Sequence, residues 1–385
     1  MRGSRQRFTP AIQGKLGMKL IIEPDDGAAP LHAALKSARK TLEIAIFRFD
    51  RSDIETLLKA AVGDGVKVTA LVADTNRDGE TKLRELEKRL LESGITVART
   101  ANDLIRYHDK YFIIDRRVLV VLSFNFTHLD IDHSRGFGII TKNKVLIQEA
   151  VQLFEADCAR RAYVTGTDNF VVSPANSRKV LRSFLKRAKK QLLVYDPQIS
   201  DKEMIRVLQE RSRAGVDVKI IGKVNGRSGI AAQKLSRMRL HARAIIRDGR
   251  QAFVGSQSLR PAELDSRREL GLIVRDAKIV KKLLTTFESD WSTTNAATVK
   301  KDARTIAEKG QEATKNETEK AVAVLVEELH PLSATVTKAV KKVAAQTGGE
   351  VLPAKVVKST VKKVVKKAVK QAVRAAAREA RKVHG

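Results

Sequence analysis

The sequence is poor in cysteine, in aromatic residues and in long apolar runs. Cys158 is its only cysteine, which excludes an intrachain disulfide and predicts a reducing, cytoplasmic location. Aromatic residues make up 4% of the chain, which is little material for the stacking surfaces that bind single-stranded nucleic acid. No run approaches the ~18 apolar residues that span a bilayer, and none of signal-peptide length follows the basic N-terminus. We therefore expect no transmembrane segment.

Acidic residues are also in deficit. The chain has 44 Asp and Glu against 74 Lys and Arg, a formal net charge of +30. This balance predicts a surface that attracts polyanions such as nucleic acid, anionic lipid headgroups or polyphosphate. Its 385 residues, 43% of them hydrophobic, could form two ordinary domains and an extension. Charge indicates a class of partner and leaves the reaction open.

The most informative feature of the sequence is an internal repeat at a constant offset of 133 residues. Related positions are His108/His241, Lys110/Arg243, Asp115/Asp248, Ser123/Ser256, Gly138/Gly271, Phe154/Phe287, Glu155/Glu288 and Asp157/Asp290. Repetition at a fixed period indicates two copies of one structural unit. We expect each copy to supply half of one site.

Ahead of each histidine, the pattern predicts a helix, a buried strand, a second helix and a second strand. This alternation is typical of an α/β layered domain with partly parallel strands. Gly65 and Gly215, which begin the second strands, are 150 residues apart, so the first copy holds 17 extra residues. We assign these to a charged helix around Glu80 to Ser93. The predicted organisation is a basic extension at 1–17, halves at 18–160 and 161–294, and a tail at 295–385.

The tail differs in composition from the repeats. Residues 338–385 contain 14 Lys and Arg against Glu350 and Glu379. Valines recur there at a spacing near four, so an apolar stripe would wind around a helix and could not face one flat partner throughout. We predict a helix that forms on contact with a polyanion or an anionic membrane. The alternative is a solvated, charge-rich tail without a specific partner.

The repeated motifs resemble the phospholipase D superfamily. The family signature is His-x-Lys-x4-Asp followed by Gly-Ser-x-Asn. The first copy has His108, Lys110 and Asp115, then Ser123 and Asn125, and the second repeats the spacing from His241. The resemblance covers about residues 18–294. It implies two tandem α/β/α sandwich halves with pseudo-twofold symmetry and one active site within a monomeric chain.

The chemistry explains why these side chains occur together. A phosphodiester is anionic, so attack needs an uncharged nucleophile and donors that stabilise charge on the phosphoryl oxygens. A neutral imidazole can attack, and a protonated one can donate to the leaving oxygen. The natural phosphate-binding donors are Lys110, Ser123, Asn125, Arg243 and Ser256. The resemblance implies a covalent phosphohistidine on His108 and protonation of the leaving alcohol by His241, with no metal or cofactor.

The resemblance implies a wider catalytic set, which departs from the family pattern in places. The set is His108, Lys110, Asp115, Asn125, His241, Arg243, Asp248 and Glu269. Arg243 replaces a lysine and Ser258 an asparagine. An acidic residue expected 28 positions after each histidine is Glu269 in the second copy but Gly136 in the first.

These departures leave several roles open. Family precedent allows Glu269 to orient His108, while Asp130, Asp132 or His133 could replace the missing acid or simply form a loop. Which histidine attacks is also open. Asp115 and Asp248 fit a structural role, fixing turns, as well as a chemical one. His108, His128 and His133 with those two aspartates could be imagined as a metal cluster, but they lack a recognised ligand spacing.

The substrate class is the least determined inference. Two copies in one chain resemble the lipid enzymes of the family, whereas its compact bacterial endonucleases often dimerise a single copy. We therefore slightly favour a phospholipid. A DNA or RNA nuclease is the alternative, because the basic tail would bind nucleic acid with a steep salt dependence, although it could equally hold an anionic membrane. The third hypothesis is a non-catalytic nucleic-acid-binding protein, motivated by Ser258 and Gly136.

Overall fold

The computed structural model describes residues 17–74, 80–226 and 228–294. The predicted tail and almost all of the predicted N-terminal extension lie outside these residues. In the first half the elements are β1 Lys19–Glu23, α1 Ala29–Leu35, β2 Thr41–Ile46, α2 Ser52–Gly63, β3 Lys67–Val72, α3 Glu80–Glu92, β4 Thr96–Arg99, β5 Arg106–Tyr107, β6 Tyr111–Ile114, β7 Val118–Leu122, α4 His128–His133, β8 Ser134–Thr141 and α5 Lys144–Cys158.

The second half repeats this order. Its elements are β9 Phe170–Ser173, α6 Ser177–Lys186, β10 Gln191–Ile199, α7 Lys202–Arg213, β11 Asp217–Val224, β12 Ala231–Gln233, β13 Arg239–Leu240, β14 Ala244–Arg247, β15 Gln251–Gly255, α8 Pro261–Asp265, β16 Arg267–Val274 and a closing helix α9 over 277–294. The helix α3 has no counterpart between the described residues of β11 and β12. The extra residues of the first copy therefore form the predicted charged helix.

Each half is built around one mixed sheet. The first has the order β1-β8-β7-β6-β2-β3-β4 and the second the order β9-β16-β15-β14-β10-β11-β12. The pairs β2–β3 and β3–β4 are parallel, as are β10–β11 and β11–β12, and the other pairs along both paths are antiparallel. The expectation of two tandem α/β halves is confirmed.

The two halves exchange short strands. β5 from the first half pairs in parallel with β16 of the second, and β13 from the second half pairs in parallel with β8 of the first. Each of these two-residue strands immediately precedes a repeated histidine, His108 or His241. Each histidine is thus delivered by backbone that is hydrogen-bonded to the opposite half.

The largest hydrophobic cluster is shared between the halves. Phe137 of the first half stacks edge-on against Tyr195 of the second, with ring centroids 5.1 Å apart, and Tyr195 packs in the same way on Phe287 at 5.0 Å. All three side chains are at most 1% exposed. Aromatic pairs of this kind contribute about 0.5–1.5 kcal/mol beyond their buried area. This shared core makes the contact between the halves part of the fold.

Candidate active site

Each motif aspartate follows a strand and accepts hydrogen bonds from backbone amides. Asp115 follows β6 at φ +49° and accepts hydrogen bonds from the backbone amides of Arg39, Lys40 and Thr41. Asp248 follows β14 at φ +54° and accepts the equivalent bonds from the amides of Lys189, Lys190 and Gln191.

These aspartates fix the turn that leads into β2 or β10, at the strand end opposite the histidines. At ~3.3 Å per residue, the four-residue strand β6 alone places Asp115 about 13 Å from the site. The resemblance implies a catalytic role for Asp115 and Asp248, and their contacts in the structure are those of residues that fix turns.

His108 is held by a carboxylate from the opposite half. Its Nδ1 lies 2.9 Å from Oε2 and 3.0 Å from Oε1 of Glu269 in β16. Glu269 is fully buried and His108 is 8% exposed. The Phe47 ring packs edge-on against the imidazole with centroids 4.5 Å apart. The ring of His108 is therefore fixed on one side by charge and on another by packing.

His241 also faces a carboxylate from the opposite half. Its Nδ1 lies 3.2 Å from Oδ2 of Asp130, at an angle outside hydrogen-bond geometry. Asp130 is 2% exposed and belongs to α4, where the Thr127 hydroxyl accepts a hydrogen bond from the Asp130 amide. The run from Asp130 to His133 is thus a helix, and the loop interpretation is wrong. Of the three candidates for the missing acid, the structure brings Asp130 to the histidine.

Gly136 cannot carry the acid for a steric reason. A Cβ built at this position would lie 2.7 Å from the Phe124 ring, closer than real Cβ contacts allow. Asp130 reaches His241 from α4 instead. It has a counterpart 133 residues later in Glu263, which accepts from the Ser258 amide at 2.7 Å and lies 3.9 Å from Arg243 Nε.

Two arginines join the histidine-bearing backbone of one half to the other half. The carbonyl of Arg268 accepts from the His108 amide at 2.8 Å, and its guanidinium donates to Asp157 at 2.9 Å. The carbonyl of Arg135 accepts from the His241 amide at 3.0 Å, and its guanidinium donates to both carboxylate oxygens of Asp290, at 2.8 and 3.0 Å.

Each of these arginines therefore holds the opposite half twice, through its carbonyl and through its guanidinium. Both are about 5% exposed. We call these two arrangements the crossed arginine clamps.

The repeated cations approach the site in equivalent ways. Lys110 Nζ donates to the carbonyl of His108, and Arg243 Nη1 donates to the carbonyl of His241 at 2.9 Å. Lys110 is fully buried and Arg243 is 8% exposed. Burial lowers the pKa of Lys110 to about 7; the Glu269 charge opposes the shift and Arg243 adds to it.

The two departures from the family pattern are in contact. Arg243 Nε donates to Ser258 Oγ at 3.2 Å. In the first half Asn125 Nδ2 donates to Asp130 Oδ2 at 2.6 Å. In the second half, the longer cation Arg243 is therefore paired with the shorter polar side chain Ser258. The two replacements are in direct contact and belong together.

The motif serines bond to neighbouring strands. Ser123 Oγ accepts from the Phe137 amide at 2.9 Å, and Ser256 Oγ accepts from the Leu270 amide at 3.1 Å. Both side chains are fully buried. The structure thus places them at the strand ends beside the site, where each fixes the strand that leads to position 136 or 269.

Burial sets the protonation of the paired imidazoles. It lowers the pKa of His108 well below 6.5, with further lowering by Lys110 and Arg243. Burial also lowers the pKa of His241 well below 6.5, with Arg243 adding to the effect and Asp130 opposing it. A positive charge on His241 would lower the pKa of His108 further, so the two rings are close enough to influence each other.

Burial opposes a net charge on either member of the His108–Glu269 pair. Burial raises the pKa of Glu269 well above 4.5, with Glu263 adding to the shift and Lys110 opposing it. When the ring hydrogen lies on Nδ1 and is donated to the carboxylate, the Nε2 atom of His108 keeps its lone pair. Such a ring can act as a nucleophile.

The sequence pattern missed several residues of this site. Phe47 gave no signal, because it is a single aromatic at the end of a buried strand. The clamp arginines could have been found, since Arg135 and Arg268 stand at the same 133-residue offset as their partners.

The histidines and aspartates considered as a metal cluster make separate contacts in the structure. His128 lies 3.1 Å from Asp132, while His108 contacts Glu269. The described part of the chain contains no group of three or more potential metal ligands. None of its helices combines the length and apolar character needed to cross a bilayer.

Comparison with known families gives a match in both halves of the chain. A family model described as cardiolipin synthase, PLD-like domain, matches residues 31–158 and 181–291, which is more than half of the chain. The chain belongs to the phospholipase D-like family. Its members include phosphodiesterases and phosphoryl-transfer enzymes, and both matched segments contain a histidine of the candidate site.

Individual relatives of this phospholipase D-like chain are more distant. A mitochondrial cardiolipin hydrolase of Danio rerio is 29% identical over 126 residues, covering 32% of the chain and 54% of the relative. A polyphosphate kinase of Vibrio vulnificus is 26% identical over 279 residues, covering 63% and 39%. The chain therefore spans about half or less of these relatives. The crystal structure of polyphosphate kinase from Porphyromonas gingivalis superposes with a TM-score of 0.61 at 19% identity, covering 71% of this chain and 50% of that one, which shows a shared fold.

Proposed function

We propose that the chain is a phosphodiester-cleaving or phosphoryl-transferring enzyme that acts through a covalent phosphohistidine on His108. The observation that carries this proposal is the crossed arrangement of the imidazoles. His108 is oriented by Glu269 and His241 faces Asp130, each carboxylate coming from the opposite half. Two buried imidazoles with separate carboxylates, beside Lys110 and Arg243, provide a nucleophile, an acid and anion-binding cations together.

In the first step, Nε2 of His108 attacks phosphorus and the bond from phosphorus to the leaving alcohol breaks. His241 donates a proton to the departing oxygen. Burial disfavours a protonated His241, but an anionic phosphate bound beside the ring stabilises the imidazolium and raises its pKa. Lys110, Arg243 and Asn125 stabilise the phosphoryl oxygens, while Ser123 and Ser256 support them by fixing the adjacent strands.

In the second step, water or another alcohol loses a proton to His241 and attacks phosphorus. The bond between phosphorus and Nε2 then breaks, and His108 regains its free lone pair. The same imidazole acts as acid and then as base, as microscopic reversibility requires. The chain can thus hydrolyse or transfer, depending on which acceptor arrives.

Among substrates, we favour a phospholipid. The family model and the Danio rerio relative both carry cardiolipin in their names. A nuclease is the second candidate, supported by the net charge of +30. Binding of residues 338–385 to a polyanion or an anionic membrane stays a prediction, because these residues lie outside the described part of the chain.

The test is turnover of bis(p-nitrophenyl) phosphate, followed by assays on phosphatidylglycerol, cardiolipin, duplex DNA and polyphosphate. The proposal predicts that His108→Asn abolishes turnover of every substrate. His32→Asn is the control, because His32 pairs with Asp53 in the α1–α2 region. A His108→Asn variant that keeps wild-type turnover would refute the proposal.

A further inference from the structure

A cavity of about 190 Å³ adjoins the candidate active site on the side of His241. Its lining includes two residues of the site, Asn125 and Asp130, and three basic residues, Arg48, Lys82 and Arg239. Leu83 and Leu86 from α3 add an apolar wall. Pockets that enclose a whole ligand usually measure about 300–1,000 Å³, so this one has room for one end of a substrate.

The wall of this cavity is specific to the first half. Lys82, Leu83 and Leu86 belong to α3, the helix formed by the extra residues of the first copy. The described residues between Val224 and Ala231, the corresponding connection of the second half, contain no helix. The insertion therefore breaks the pseudo-twofold symmetry of the site, and it does so beside Asp130, the carboxylate that faces His241.

Asn125 lines this cavity and carries an unpaired acceptor atom. Its Nδ2 donates to Asp130 Oδ2 at 2.6 Å, and this bond fixes the orientation of the amide. Its Oδ1 is buried and has no hydrogen-bond partner among the described residues, and the side chain is 4% exposed. A buried, unpaired carbonyl oxygen is costly unless a donor reaches it. The hydroxyl group of an alcohol is such a donor.

The charges in the lining favour an anionic ligand group. The lining holds three basic residues against the two carboxylates Asp50 and Asp130, and Asp130 accepts from Arg239. Lys82 adds a cation that neither carboxylate neutralises through a direct ion pair. Basic side chains beside an apolar wall suit a short, phosphorylated carbon chain better than a neutral headgroup.

We propose that this cavity is the subsite for the alcohol that leaves or accepts the phosphoryl group, and that it selects an alcohol carrying its own phosphate. This inference rests on the proposed function, because it needs a phosphohistidine that an alcohol can attack. Asn125 receives the hydroxyl beside His241, while Lys82, Arg48 and Arg239 contact the second phosphate. The oxygen of the alcohol bonds to phosphorus as the bond to His108 breaks, and the proton of the alcohol passes to His241.

The experiment uses the full chain with bis(p-nitrophenyl) phosphate as donor. Release of p-nitrophenolate reports formation of the intermediate, and products of transfer and hydrolysis are separated by chromatography. Added acceptors are glycerol, glycerol 3-phosphate, thymidine and thymidine 3′-phosphate. The ratio of transfer to hydrolysis is independent of total turnover, so it isolates the subsite.

The proposal predicts that a phosphorylated acceptor captures the intermediate at a concentration about tenfold lower than its unphosphorylated partner, the effect of roughly one charge-assisted hydrogen bond. Preference for glycerol 3-phosphate indicates a lipid-type substrate, and preference for thymidine 3′-phosphate indicates a nucleic acid. Lys82→Ala should remove the preference. Lys88→Ala on the same helix should keep it, because the Lys88 side chain is 77% exposed and lies near Glu92.

Two other outcomes are distinguishable. If p-nitrophenolate is released but neither phosphate improves capture, the subsite proposal is overturned and the proposed function stands. Equal preference in wild type and Lys82→Ala also overturns the assignment of this cavity. If no p-nitrophenolate is released, the proposed function itself fails, and the subsite proposal fails with it.

Discussion

The backbone carbonyl of Arg268 accepts a hydrogen bond from the amide of His108 at 2.8 Å. The two residues belong to different halves of the repeat, and the guanidinium of Arg268 returns to the first half by donating to Asp157. The nucleophile proposed here is thus positioned by the partner half, and Arg135 does the same for His241. The duplication therefore supplies a second set of functional groups. In addition, the backbone of each half positions the histidine of the other half.

The clamps should differ in their kinetic effect. We compare Arg135→Met/Asp290→Asn with Arg268→Met/Asp157→Asn, because removing both charges avoids an isolated buried ion, which alone costs about 3–5 kcal/mol. The first pair positions the acid, so it should slow alkyl phosphodiesters much more than p-nitrophenyl esters, whose leaving group needs little protonation. The second pair positions the nucleophile, so it should slow both. The measurement is kcat/KM across a series of leaving groups.

Equal losses from both clamps on every substrate would contradict this assignment of acid and nucleophile. Thermal unfolding of both double variants serves as the control. It separates a positioning effect from a general loosening of the contact between the halves.

Glu269→Gln should lower kcat while leaving the fold intact. The amide can still contact Nδ1 of His108, but it cannot stabilise the positive charge that develops on the ring during attack. A comparable replacement of a histidine-orienting carboxylate lowers kcat by about 10⁴ in serine proteases, and we expect about 10²–10⁴ here. Steady-state kinetics and circular dichroism check this. A Glu269→Gln variant with wild-type kcat would show that the carboxylate only fills space.

Arg243 and Ser258 should behave as a coupled pair. Ser258→Asn alone should impair activity, because the larger amide competes for the space next to Arg243 Nε. Adding Arg243→Lys should restore activity, since the pair then matches Lys110 and Asn125 of the first half. Residues in direct contact commonly show coupling energies of about 0.5–3 kcal/mol. A double-mutant cycle in kcat/KM measures this term, and strictly additive effects would contradict the account.

Lys110 should limit activity at alkaline pH. Its pKa is lowered to about 7, mainly by burial, so in the free enzyme the ammonium loses its charge as pH rises through about 7. With a p-nitrophenyl substrate, kcat/KM should fall above that pH. Lys110→Arg should remove this alkaline limb, because a guanidinium stays protonated. An unchanged limb in Lys110→Arg would assign it to another group.

Asp115 should stabilise the fold without contributing to the reaction. Its pKa is lowered from 3.8 by bonds to the Thr41, Lys40 and Arg39 amides, which outweigh burial. The stabilisation of the fold by the Asp115 carboxylate is therefore complete above about pH 4. It is lost as pH falls through the pKa of Asp115 in the folded state. Asp115→Ala should lower the free energy of unfolding at pH 7 by about 1–3 kcal/mol, with a smaller difference in strong acid. Urea unfolding at several pH values measures this, and kcat of the folded variant should match wild type.

The sequence predicted much of this arrangement, for physical reasons. Hydrophobic periodicity reflects burial, so the strands and helices ahead of each histidine could be predicted. The fixed offset of 133 residues revealed the pseudo-symmetry. The partner of His108 also followed, because a family precedent for Glu269 was available.

Other features depend on contacts between distant residues. The exchange of β5 and β13 pairs residues more than 100 positions apart, and a two-residue strand has no periodicity to detect. The absence of an acid at Gly136 is explained by the Phe124 ring, which only packing brings there. Asp130 looked like part of a polar loop until α4 placed it beside His241.

The most direct test of the central claim is to trap the intermediate in His241→Ala. The first step with bis(p-nitrophenyl) phosphate needs little acid assistance, whereas release of the intermediate needs a base that this variant lacks. The account predicts a burst of about one p-nitrophenolate per chain and a p-nitrophenyl phosphoryl adduct on His108, located by mass spectrometry of peptides under mildly alkaline conditions. An adduct on another residue, or turnover without any adduct or burst, would contradict it.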